Sequence, residues 1–66
     1  MTSKDVFGRM PESVIRSLKQ FREMKDGNYL HDKELSHRAY EYTNALRDAG
    51  FITEVERRVL FLYTTI

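Results

Sequence analysis

The chain has 66 residues, enough for one small domain, and a chain of that size buries only about 60% of the surface its unfolded form exposes. It contains no cysteine, so neither disulfides nor thiolate metal sites can reinforce the core, and so small a core is not expected to enclose a catalytic pocket or a cofactor. The net charge of +1 lacks the basic excess of autonomous nucleic-acid binders, and no apolar run approaches the roughly 20 residues of a membrane span, so we expect a non-enzymatic cytoplasmic protein.

The first part of the chain divides into an arm and a helix. Residues 1–10 show no sustained hydrophobic period, so we predict a flexible N-terminal arm followed by a single helical domain over residues 11–66. The first helix is predicted to begin at Pro11, because the N–H that proline lacks would have no helical partner in the first turn. It is predicted to end near Lys25, before Gly27. Its core face consists of three residues at helical spacing: Val14, Leu18 and Phe21.

The longest helical pattern runs from Asp32 to Ala49 and predicts a second helix. Asp32 is a good N-cap, and Gly50 stands where a left-handed residue would end the helix. The short connector predicts that the two helices are antiparallel neighbours. The core stripe of this second helix has a 4-3-4-3 spacing and consists of Leu35, Ala39, Tyr42, Leu46 and Ala49.

A third helix is predicted to begin at Thr53, which forms a capping-box pattern with Glu56. Its predicted core stripe lies within about 60° on a helical wheel and consists of Val55, Val59, Leu62 and Ile66. A strand is the competing interpretation, because residues 59–66 are rich in β-branched and aromatic side chains, and residues 51–55 and 58–63 could then pair as a hairpin. The helix is favoured, since Glu56-Arg57 would be a poor hairpin turn. The predicted fold is therefore all-α, a helical hairpin plus a C-terminal helix.

Several apolar residues of the C-terminal segment lie off this predicted stripe and would lack an intramolecular partner. We therefore predict a homodimer whose interface contains Leu60, Phe61 and Tyr63. In the alternative, the N-terminal segment folds back and covers them with Val6, Phe7 and Met10.

Residue types that bind metals cluster at one place, His31, Asp32 and His37. On a helix the two histidines would point about 120° apart, unlike the i, i+4 pair of a zinc helix, so no metal site is predicted. The three glycines are isolated, which excludes a glycine-rich phosphate loop.

Tyr40 is the best candidate for contact with a partner protein, because it lies opposite the core stripe of the second helix and tyrosine is favoured at interfaces. Further polar candidates for partner contact on this helix are His37, Arg38 and Arg47, of which Arg47 lies near Tyr40.

The segment LSHRAYEYTNALRDAGFI, residues 35–52, resembles the recognition helix of winged-helix transcription factors of the GntR type. That resemblance implies that the start of the helix enters the DNA major groove with Ser36, His37, Arg38 and Tyr40. A helix-turn-helix also needs a separate short helix beforehand, and only residues 29–34 are left for one. A degenerate winged-helix DNA-binding protein is therefore the alternative function.

The ending DAGFITEVERRVLFLYTTI, residues 48–66, and the small size are similar to the very small early proteins that lambdoid bacteriophages encode between their recombination and excision genes. The resemblance implies a non-enzymatic accessory protein that acts in the host cytoplasm on host or phage regulation, in the choice between lysis and lysogeny. We expect such a protein to act by protein–protein interaction.

Overall fold

The computed structural model describes residues 1–65, which form four α-helices and contain no strand. The helices are α1 (Ser3–Phe7), α2 (Glu12–Glu23), α3 (Tyr29–Asp48) and α4 (Glu54–Thr65). The all-α prediction is confirmed, and the C-terminal segment is helical as far as Thr65 rather than extended. The fourth member of the predicted C-terminal stripe, Ile66, lies outside the described residues.

The N-terminal segment differs from the predicted flexible arm, because it forms helix α1 and contributes to the core. Thr2 and Asp5 cap this helix reciprocally: the Thr2 N–H donates to Asp5 Oδ2 at 2.9 Å, and the Asp5 N–H donates to Thr2 Oγ1 at 3.4 Å. Val6 is buried beside Leu60, and Phe7 and Met10 pack against the same cluster. The fold-back alternative therefore describes this segment. A helix of five residues is too short to display a hydrophobic period.

The connection between α2 and α3 is tighter than the sequence predicts. Asn28, not Asp32, is the N-cap of α3, and its side chain accepts the His31 N–H at 3.1 Å. Asp32 lies inside the first turn, where its carboxylate accepts the N–H groups of Asp26 and Gly27, each at 3.1 Å. Gly27 has a φ of +89°, which only glycine adopts without strain.

Helix α3 buries the face that its sequence predicts. Leu35 and Ala39 are buried, and Tyr42 and Leu46 are half-buried against the core. Ala49 is exposed, because it is the C-cap of the helix rather than part of its last turn.

Gly50 ends α3 as the sequence predicts. Its φ is +82°, and its N–H donates to the Arg47 carbonyl while the Phe51 N–H donates to the Leu46 carbonyl, both at 3.0 Å. This pair of hydrogen bonds is a Schellman motif, which satisfies carbonyls that the helix end would otherwise leave free.

Helix α4 is the centre of the fold, since it packs against each of the other three helices. Its capping box is present: the Thr53 N–H donates to Glu56 Oε1 at 2.8 Å, and the Glu56 N–H donates to Thr53 Oγ1 at 3.2 Å. The central apolar cluster takes one residue each from α1, α2, the α3–α4 connection and α4: Val6, Leu18, Ile52 and Leu60.

The prediction of which face of α4 is buried is wrong. The buried residues of this helix are Glu56, Arg57, Leu60 and Thr64. At 100° per residue, the centre of this face lies about 145° around the helix from the centre of the predicted stripe.

Among residues 1–65, no helix is long and apolar enough to cross a membrane.

Candidate protein-interaction surface

The residues predicted to form a dimer interface do not form an exposed patch. Leu60 is completely buried in the core, so it is unavailable to a second protein. Phe61 is half-buried and packs edge-on against Tyr40, with ring centres 5.5 Å apart. Tyr63 is also half-buried and packs against Phe7, with ring centres 5.0 Å apart. That interface prediction is corrected, because α1 and α3 cover these side chains.

The exposed apolar surface of α4 is instead the stripe that was expected in the core. Val55 is 58% exposed and Leu62 is 57% exposed, and the half-buried Val59 lies between them. We call these three residues the α4 stripe. Their 4-3 spacing aligns them along one side of the helix. Phe51, which is 66% exposed, lies four residues before Val55 in the sequence. Large apolar side chains aligned on a surface are typical of protein contacts, whereas single ones are ordinary.

A shallow depression lies beside the C-terminal half of the α4 stripe. It is lined by Met1, Ser3, Arg22, Val59, Leu62 and Tyr63. The guanidinium of Arg22 lies over the Tyr63 ring, 4.8 Å from its centre. The depression is therefore lined mainly by apolar side chains and also by the cationic Arg22, which suits an inserted apolar side chain of a binding partner.

Three arginines surround Glu54 at the start of α4. The Glu54 carboxylate accepts hydrogen bonds from Arg47 Nη1 at 2.6 Å, from Arg57 Nε and Nη2 at 2.8 and 2.9 Å, and from Arg58 Nε at 3.0 Å. These bonds, that from Arg57 foremost, hold the pKa of Glu54 far below its ordinary value. Arg47 also contacts Asp48 at 3.3 Å. The cluster therefore contains three guanidinium groups and two carboxylates, and it carries one net positive charge.

Arg57 is the least exposed member of this cluster and joins α4 to α3. It is 9% exposed, and its guanidinium lies 5.4 Å from the centre of the Tyr40 ring. The hydrogen bonds to Glu54 raise the pKa of Arg57. Its Nη1 has no hydrogen-bond partner within the described residues, nor has the buried Oδ1 of Asn44 on α3. The arrangement stabilises the α3–α4 contact and is not suited to acid–base chemistry, because both ion-pair partners are held charged.

The predicted partner-contact residues divide between this cluster and open surface. Tyr40 is 45% exposed but already contacts Arg57 and Phe61. Arg47 is engaged with Glu54 and Asp48, as described above. His37 and Arg38 are exposed and pair with acids one turn away, Glu41 at 3.0 Å and Glu34 at 2.8 Å. Arg38 and His37 are adjacent in the sequence, so their side chains point about 100° apart and do not share one face of α3.

The group nearest to a metal site in residues 1–65 consists of Asp26, His31 and Asp32, whose potential ligand atoms lie within 4.8 Å of one another. His37 is not part of it. Both oxygens of Asp32 accept loop N–H groups, and Asp26 Oδ1 accepts the Asn28 N–H at 2.9 Å. The hydrogen bond from the Asn28 N–H is the main cause that lowers the pKa of Asp26, and the nearby His31 lowers it further. The carboxylates thus serve to close the loop at the start of α3, where the helix dipole opposes a cation.

The winged-helix resemblance is only partly compatible with this fold. Residues 1–65 contain no strand, so this part of the chain has no wing. Residues 29–34 belong to α3 itself, a continuous helix of 20 residues, and supply no separate helix before Leu35. His37, Arg38 and Tyr40 are exposed along the first half of α3, while Ser36 is half-buried.

Comparisons of the chain with protein-family models, with curated proteins and with solved structures found no match.

Sequence reasoning missed the buried role of Glu56 and Arg57. Glu56 is 3% exposed, and besides capping α4 it forms an ion pair with Arg9. The capping-box pattern predicted the Thr53 contact, but it carries no information about burial. No local pattern identified Arg57 rather than Arg58 as the buried arginine, because both stand at helical spacing from Glu54.

Proposed function

We propose that this protein is a small non-enzymatic accessory protein that acts by binding another protein through the α4 stripe. The exposure of Val55 and Leu62 on a helix that is otherwise the centre of the core carries the proposal. Because α4 contacts the three other helices, its apolar side chains could be buried among them. Leaving two of them outside has a cost in solubility that a binding role offsets.

The regulatory part of the proposal depends on the resemblance of residues 48–66 to small early proteins of lambdoid bacteriophages. In that setting the partner is a host or phage protein of the bacterial cytoplasm, and binding influences the choice between lysis and lysogeny. Self-association of two copies through the α4 stripe, as a homodimer, is the less favoured form of the same proposal. DNA binding is the alternative function and is favoured only by the exposed His37, Arg38 and Tyr40 on α3.

Site-specific photocrosslinking in bacterial cells tests this proposal. A photoreactive phenylalanine analogue placed at Leu62 should give a discrete adduct with a protein, whose mass distinguishes a second copy from another partner. The matched control places the same analogue at Leu30, which is 75% exposed but belongs to α3 instead of α4. Equal adduct formation at both positions, or none at Leu62, would contradict a binding role for the stripe.

A further inference from the structure

Basic side chains lie on both sides of the α4 stripe. Arg58 is exposed and lies on one side of the stripe, about 60° around the helix from Val55. Arg22 lies on the other side, in the depression that it shares with Val59 and Leu62. The acid of α4 nearest to Arg58 is Glu54, which Arg47 and Arg57 also hold, so it leaves the surroundings of Arg58 positive. The stripe is an apolar strip with a basic residue on each side.

A second copy of the chain is a poor fit to these borders. The midpoint of the α4 stripe falls between Arg58 and Val59. In an antiparallel twofold pairing of two α4 helices, each side of the stripe meets the same side of the other copy, so Arg58 meets Arg58. In a parallel twofold pairing opposite sides meet, so Arg58 faces the side that carries Arg22. Both arrangements bring arginine toward arginine at an interface, where like charges are unfavourable.

We propose that the α4 stripe binds an amphipathic helix of a different protein, with apolar residues along one face and acidic residues on both sides of that face. The partner's apolar residues pack on Val55 and Leu62, and one of them enters the depression beside Tyr63. Its carboxylates pair with Arg58 and Arg22. This inference rests on the proposed function and adds to it the shape and the charge of the partner.

Two labelled helical peptides with the same leucine positions provide the test, one with glutamate and one with lysine at every flanking position. Fluorescence anisotropy should show that the glutamate peptide binds at least about tenfold more tightly than the lysine peptide, and that added salt reduces this preference. Leu62→Glu should weaken binding of the glutamate peptide by about tenfold or more, because it places a charge in the apolar contact. The matched control Leu30→Glu should leave binding unchanged.

Charge reversal separates this inference from the proposed function. Arg22→Glu combined with Arg58→Glu should reverse the preference toward the lysine peptide, whereas Lys33→Glu on α3 should not alter it. Circular dichroism confirms folding, and if the double variant does not fold, Arg58→Gln should still reduce the preference. Equal binding of both peptides that is lost in Leu62→Glu would overturn the charge inference and leave the proposed function standing. Binding of neither peptide, or sedimentation equilibrium showing a dimer that Leu62→Glu dissociates, would overturn the inference of a different partner.

Discussion

Helices α3 and α4 both carry apolar residues at helical spacing, yet only α3 buries them. In α3, Leu35 and Ala39 face the core as predicted, whereas in α4 Val55 and Leu62 face outward. The two helices differ in how many neighbours they have. Helix α4 packs against all three other helices, so a wide part of its circumference must be buried, and that part includes polar positions. An apolar stripe therefore predicts a buried face more safely for a peripheral helix than for a central one.

Polar residues can occupy the core face of α4 because each finds a partner close by in the sequence. The hydroxyl of the buried Thr64 donates to the Phe61 carbonyl at 2.7 Å. Arg57 is neutralised by Glu54, three residues earlier. Because most polar atoms of these groups have partners, burying them carries less than the full cost of an unpaired polar group, although Arg57 Nη1 keeps no partner within the described residues.

Truncating each of the two leucines of α4 is the most direct test of which face of this helix is buried. Leu60→Ala should reduce the free energy of unfolding by about 2–5 kcal/mol, because Leu60 is fully buried. Leu62→Ala should change it by no more than about 0.5 kcal/mol, since Leu62 is 57% exposed. Urea denaturation of both variants measures the difference. If Leu62→Ala were the more damaging change, the face predicted from the stripe would be the buried one.

Much of the fold was predictable, and the parts that were not have physical reasons. The Gly50 stop and the Thr53–Glu56 box are short local motifs, so sequence alone identifies them. Helix α1 and the orientation of α4 depend on tertiary packing, because α1 has one fully buried side chain, Val6, and polar residues line the inner face of α4. The candidate binding surface was missed for the same reason, since an error of about 145° in the orientation of α4 exchanges core and surface.

Arg57 and Arg58 allow the same test of buried against exposed positions for charged side chains. The expected loss of unfolding free energy is smaller than for Leu60→Ala. Arg57→Met should cost about 1.5–3 kcal/mol, the usual range for hydrogen bonds to a charged group, because it removes the link between α4 and Tyr40 of α3. Arg58→Met should cost less than about 1 kcal/mol, since Arg58 is exposed. Chemical denaturation at neutral pH compares them. Equal losses would mean that burial of Arg57 does not distinguish it from its neighbour.

The smallest expected effect is an acid dependence that is specific to the start of α4. The arginines around Glu54 lower its pKa in the folded protein from an ordinary value of 4.5. A carboxylate with a depressed folded pKa contributes stability that is fully present above the ordinary pKa and is lost as the pH falls toward the folded pKa. The melting temperature of the parent should therefore exceed that of Glu54→Gln at about pH 7, and the gap should narrow as the pH falls below about 4.5.

The matched control for this acid dependence is Glu34→Gln on α3. Glu34 forms a single exposed ion pair with Arg38, at 2.8 Å, whereas Glu54 holds three arginines. Replacing Glu34 should therefore lower the melting temperature less at neutral pH than replacing Glu54 does, because an isolated surface pair contributes little. Circular dichroism melts of the parent and both variants between about pH 7 and about pH 3 make the comparison. A gap between the parent and Glu54→Gln that stayed constant over this range would show that the Glu54 carboxylate stabilises α4 by packing or capping rather than by its charge.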